Sequence, residues 1–240
     1  MGMTSLIITD PAITNPTWFL GSFEFREPMT TATDFLVALV CWYVVYRMVK
    51  TPKGQRNSRY FKLILGYFTC FAIGMTSAAW LGHGLQAYLD PKFKIIGWGM
   101  GATGIMLLQL TSFLIIQPGV KMRWHQLFHW LFIVEWLLAV GLMISPWSSF
   151  MVTQINSTFG LILLVLPMHV YNLKKMRDQR SKRIILALAY SAIPGFIYSN
   201  AISLHPWLNY HDISHLLMAG FMILMYRGLR QFSMIPKTFD

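Results

Sequence analysis

Seven apolar stretches recur along the chain, at residues 34–49, 63–88, 95–117, 126–144, 150–172, 184–203 and 210–226. Each approaches the length of about 20 residues that a helix needs to cross a hydrocarbon core about 30 Å thick. The short segments between them hold nearly all the charge and much of the proline. The pattern predicts an all-α, polytopic membrane protein built as a seven-transmembrane-helix bundle. The seventh stretch is the least apolar, because it carries His211, Asp212 and His215. No sequence period recurs from span to span, so a solenoid is not expected.

The first 33 residues differ from the rest. Pro11, Pro16, Trp18, Phe19, Phe23, Phe25 and Pro28 make them too aromatic for a floppy tail. The expected organisation is an external N-terminal segment over 1–33, packed as a lid, a transmembrane domain over 34–231 and a cytoplasmic tail over 232–240. The opening MGMTSLIITDPAITNP lacks a basic run followed by an apolar one, so it is not expected to be a cleaved leader.

Composition narrows the class further. Of 240 residues 55% are hydrophobic and 12% charged, which excludes disorder and leaves no room for a second large domain beside seven spans. Cys41 and Cys70 both fall inside apolar stretches, so neither a disulfide framework nor a cysteine zinc site is expected.

The net charge of +11 changes the picture only through its placement. Seventeen of the 20 Lys and Arg fall between spans one and two, after span three, after span five and after span seven; Arg26, Lys92 and Lys94 lie opposite. The positive-inside rule then puts the N-terminus outside and the C-terminus in the cytoplasm. Cations divided among short juxtamembrane loops face anionic lipid headgroups, not nucleic acid. A multi-pass protein of the plasma (inner) membrane is the expected location; the pattern does not fix an oligomeric state.

Ionisable groups inside spans are costly unless they pair or line a cavity, so function is sought there first. With this orientation His83, late in span two, and His211 and His215, at the start of span seven, share the external half. His211 and His215 are four residues apart and so share a helix face, about 6 Å apart at the backbone. Two imidazoles at that spacing can hold one metal ion, and His83 from another helix would complete the three-ligand set of a catalytic zinc. Hydrolysis also needs a proton acceptor, for which Asp212, Asp90 and Asp34 lie at the same depth. Thr76, seven residues before His83, shares its face on a regular helix, whereas Ser77 lies about 120° around. Either hydroxyl is a candidate to stabilise a developing oxyanion. Asn209 or Asp212 can instead cap the seventh span.

A second polar group lies nearer the cytoplasm: His125 and His129 at the start of span four, His169 with Asn172 near the end of span five. Paired histidines at both leaflets would also serve a b-type haem electron carrier. Glu135, midway along span four, is expected to bond a Ser, Asn or Tyr of a neighbouring helix.

Seven spans, an external N-terminus, TSAAWLGHG with His83, and NYHDISHLL with His211 and His215 together resemble the alkaline ceramidase-like membrane hydrolases. Their wider superfamily includes the progestin and adiponectin receptors. The resemblance implies metal-dependent hydrolysis of a lipid amide or ester, with zinc on three histidines aided by a serine and an aspartate. In that family the serine precedes its histidine by about one turn, and Ser77 precedes His83 by six residues. The family aspartate falls near the start of span three, where this chain offers Asp90. A non-catalytic lipid-binding receptor or scaffold is the other function that this resemblance allows.

Overall fold

The computed structural model describes residues 16–52 and 58–233. The first half of the aromatic-rich opening, the cations Lys53 and Arg56, and the tail from residue 234 lie outside the described residues. The chain is mostly helical. Among the described residues seven helices run α1 Pro28–Val49, α2 Arg59–Gly84, α3 Pro91–Gly119, α4 Arg123–Ile144, α5 Phe150–Lys174, α6 Ser181–Ser199 and α7 Tyr210–Ser233. Helices α1 to α5 are long and apolar enough to cross a membrane. Helices α6 and α7, with 19 and 24 residues, have the length but fall short of that mark in apolarity.

The helices begin and end for local reasons. Glu27 takes a left-handed conformation, φ 45°, and Pro28 follows at the first helical position, where its missing N–H costs nothing. Ser58 caps α2 by accepting from the Phe61 amide at 3.1 Å. Helix α1 therefore starts six residues before the apolar pattern does. Its first turns are lined by Thr30, Thr31, Thr33 and Asp34, all buried, and polar side chains facing a bundle interior read as loop in a hydropathy pattern.

Helix α1 packs on α2 and α7, α2 on α3, α3 on α5, α5 on α6 and α6 on α7, which closes a ring. Its core is shared by Val37, Cys41 and Val44 of α1, Tyr67 and Phe68 of α2, Leu108 of α3, Val165 of α5, Leu188 of α6 and Met222 and Met225 of α7. Helix α4 lies against α3 and α5 and contributes nothing to that core. Phe132 holds it to Phe113 and Met168, and Glu135 accepts from Gln109 of α3 at 2.5 Å and from Asn156 of α5 at 3.0 Å. Apolar solvent gives helices no reason to associate beyond packing and polar contact. Small residues therefore matter: a Cβ on Gly74 would come within 3.2 Å of the Gly97 carbonyl oxygen, so the two glycines let α2 and α3 touch backbone to backbone.

Ahead of α1 stands a hairpin of β1 Thr17–Leu20 and β2 Phe23–Arg26, antiparallel, with Trp18 opposite Phe25 and Leu20 opposite Phe23. Gly21 makes its turn with φ 62°. Trp18, Leu20, Phe23 and Phe25 thus share one face.

Candidate functional site

His83 reaches the site through an irregularity. From Ala78 to Gly84 helix α2 is π-helical, and the Leu85 amide continues the pattern by bonding the Trp80 carbonyl at 2.9 Å. The wider turn delays each side chain's return to a face, so heptad spacing fails there. Thr76 does not follow His83: its hydroxyl donates to the Ala72 carbonyl at 2.7 Å and accepts from Trp42 at 3.2 Å. Ser77 sits at the junction where the α-helix passes into the π-helix.

Helix α7 carries the other two histidines on a reciprocal cap. The Asn209 side chain accepts from the His211 and Asp212 amides at 2.8 and 3.3 Å, and Asp212 accepts from the Asn209 amide at 2.9 Å. This is a capping box with an aspartate in the third helical position. The second oxygen of Asp212 accepts from the Thr30 hydroxyl at 2.8 Å, which ties α7 to α1. Both oxygens of this fully buried carboxylate are therefore engaged away from the imidazoles.

The three rings form a nearly equilateral triangle. Their centres are 6.2 Å apart for His83 and His211, 6.5 Å for His83 and His215, and 6.4 Å for His211 and His215. Tyr210 and Tyr198 wall the His211 ring at 4.2 and 5.2 Å.

Two carboxylates complete the site. Glu27 accepts from Nδ1 of His83 and, on its other oxygen, from Gln86 at 2.9 Å. Asp34, 1% exposed, reaches Nδ1 of His215 at 3.1 Å and Nε2 of His83 at 3.6 Å, yet neither of its oxygens completes a directed hydrogen bond. Thr33 donates to the Thr30 carbonyl at 3.1 Å, so toward His215 Nδ1, at 3.3 Å, it can only accept. That places the proton of neutral His215 on Nδ1 and leaves Nε2 its lone pair. Nδ1 of His83 likewise carries a proton, which it donates to Glu27.

One feature of this donor set suits a divalent cation: carboxylates on the far nitrogens are the usual supports of metal-binding imidazoles, and Glu27 stands so behind His83 and Asp34 behind His215. Among the described residues no group of three or more His, Cys, Asp or Glu side chains stands arranged to hold a metal ion. Rings bound tetrahedrally through bonds of about 2.1 Å have centres about 5.2 Å apart, so each pair here stands roughly 1 Å wider than that geometry.

The structure thus brings His83, His211, His215 and Asp34 together. Asp90 stands apart, exposed in the loop after α2, where it caps a short turn by accepting from Lys92 at 2.8 Å. Glu27 is the site residue that sequence reasoning missed. The inner histidines are bonded locally. His169 lies between the hydroxyls of Ser181 and Ser112 at 3.0 and 3.2 Å, while His125 and His129 reach backbone carbonyls at 3.0 and 2.7 Å.

The chain belongs to a family of unknown function, DUF6962, whose profile matches residues 29–234. That span takes in all seven helices but for a residue at α1's start, with the three histidines and Asp34; the hairpin and Glu27 precede it. No curated protein and no solved structure matches the chain.

Proposed function

We propose that this chain is a seven-helix protein of the plasma (inner) membrane, N-terminus external and C-terminus cytoplasmic, that hydrolyses an amide or ester of a membrane lipid at a zinc centre held by His83, His211 and His215. One observation carries the reading: three imidazoles from two helices in a closed triangle, two of them backed by carboxylates. Such an ion would supply a Lewis acid that polarises a carbonyl and acidifies water. The chain's own residues do the rest. Glu27 and Thr33 hold the His83 and His215 tautomers. Asp34, with two unengaged oxygens between those rings, can accept a proton from attacking water at Oδ1 or Oδ2 and return it to the leaving group. Tyr198 and Tyr210 shield the His211 side from water. The substrate class fits a site between spans, reached from within the bilayer.

The local bonding of His125, His129 and His169 favours this reading over a two-haem electron carrier, which needs free imidazoles facing each other at both leaflets.

Metal analysis of the purified protein tests the proposal directly. Zinc near one equivalent, lost together with lipid hydrolysis in His215→Ala, is the expected result. Iron with a haem spectrum, or no metal at all, would sink it. Bound metal without release of fatty acid from lipid amides or esters would leave a receptor or scaffold. A reporter active only in the cytoplasm, fused within 174–183, should give signal if the orientation is right.

A further inference from the structure

The hairpin is anchored at its base and along one face. Phe25 sits over Gly84, where a Cβ would come within 2.7 Å of its ring, and meets Trp80 edge-on at 6.3 Å. Phe23 stacks on Tyr88 at 5.5 Å, and the Tyr88 hydroxyl takes the Glu24 amide at 2.5 Å. Trp18 meets Trp207 at 5.9 Å. Beyond these contacts the chain turns outward: Trp18, Phe19 and Leu20 are 58%, 71% and 82% exposed. Three consecutive large apolar residues open to water at a hairpin tip are a fault unless something covers them.

Position says what does. Strand β2 runs through Glu27 directly into α1, and Tyr88 and Trp207 lie in the loops joining α2 to α3 and α6 to α7. The hairpin therefore lies at the level where these helices leave the apolar layer. Trp and Tyr are enriched at this boundary, and Trp, Phe and Leu are the residues that interfacial segments turn into it. Size points the same way. An aromatic side chain buries about 150–250 Å² at most, and three residues, one already partly covered, fall well short of the roughly 800 Å² per partner of a stable protein interface. Shallow insertion into lipid needs neither that area nor shape complementarity.

We infer that the tip formed by Trp18, Phe19 and Leu20 inserts into the headgroup boundary of the leaflet on the histidine side, as an interfacial anchor. The inference rests on the membrane placement of α1 to α5 and not on hydrolysis. Because the same hairpin ends on Glu27, bilayer contact at its tip and the carboxylate on His83 belong to one element.

The test uses the full chain in phosphatidylcholine vesicles, with Leu20→Cys carrying an environment-sensitive fluorophore. Cys41 and Cys70 are buried and should take no label. Lipid spin-labelled near the headgroup is expected to quench the probe at least twofold more than aqueous iodide does. Lys92→Cys, in the exposed first turn of α3, should show the reverse order. Iodide quenching at position 20 as strong as at position 92 overturns the inference, and so does a probe that neither agent reaches, since protein would then cover the tip. Phe19→Cys gives the same reading if Leu20→Cys does not fold. No turnover is measured, so failure here and failure of the hydrolase reading are separate results.

Discussion

Replacing Glu27 by Gln changes one oxygen into an amide nitrogen and leaves the volume untouched. The two bonds that Glu27 makes both survive only if the Gln86 amide turns over, and even then His83 has lost its carboxylate support. If the amide oxygen keeps Gln86, at 2.9 Å in the parent, the NH₂ faces His83 Nδ1. That nitrogen must then accept, which moves the ring proton to Nε2 and removes the lone pair that a metal needs. If the oxygen turns to His83, the Gln86 amide turns over to accept from the new NH₂, and the ring keeps its tautomer but donates to a neutral amide in place of a carboxylate. Loss of such a support costs about 10- to 100-fold in metal affinity, or about 1.4–2.7 kcal/mol. The assay is zinc competition against a chelator of known affinity, on detergent-solubilised Glu27→Gln and its parent, with His83→Ala as the reference for complete loss. A Glu27→Gln protein that binds zinc within twofold of the parent while His83→Ala does not would refute the tautomer reasoning. Glu27 would then be a partner of the hairpin alone.

Further outcomes follow from contacts already described. Asp34→Asn, with metal retained, should slow lipid hydrolysis by about two to four orders of magnitude, measured as fatty acid released per bound zinc. Asp212→Asn should leave that ratio unchanged while lowering thermal stability by about 1 kcal/mol through its cap; a slow Asp212→Asn with a normal Asp34→Asn would reverse the two roles. Gly84→Ala pushes a methyl into the Phe25 ring and should cost about 1–3 kcal/mol, with faster proteolysis within 17–26 as the direct readout. In the loop between α5 and α6, hydrogen bonds from Arg180 hold the Asp178 carboxyl below its ordinary range. A depressed native value means stability present above the unfolded value of about 3.9 and lost as pH falls through the native one. Asp178→Asn should therefore flatten the acid limb of the stability curve, by less than about 1 kcal/mol since the pair is partly exposed.

Helices were legible where burial and composition agree. The apolar runs of α2 to α5 announce themselves, and the His-x-x-x-His spacing placed two rings on one face because α7 is a regular helix there. Reading failed where backbone geometry departs from the regular. Heptad spacing put Thr76 beside His83, but a π-helical stretch lies between them, and AAWLGHG carries no clear mark of one beyond its glycines. Glu27 reads as a solvated acid ahead of a proline; its place on His83 depends on a left-handed backbone that sequence does not announce. The hairpin did leave a signal, two short aromatic runs around Gly21–Ser22. Asp212, flanked by two histidines in sequence, invites a catalytic role, yet at the third position of a helix the free amides behind it claim the carboxylate first.

The π-helical stretch of α2 holds one residue more than an α-helix would place along the same rise. That surplus residue is taken up as a local widening of the helix, so the turns on either side keep their faces. Closing the stretch into regular turns with every residue kept would swing His83 by roughly 100°, away from His211 and His215. The span would remain a helix and the triangle would open. Deleting one residue between Ala78 and Leu81 instead removes the surplus and leaves His83 facing its partners, so the local winding of α2, more than its residue count, sets the triangle.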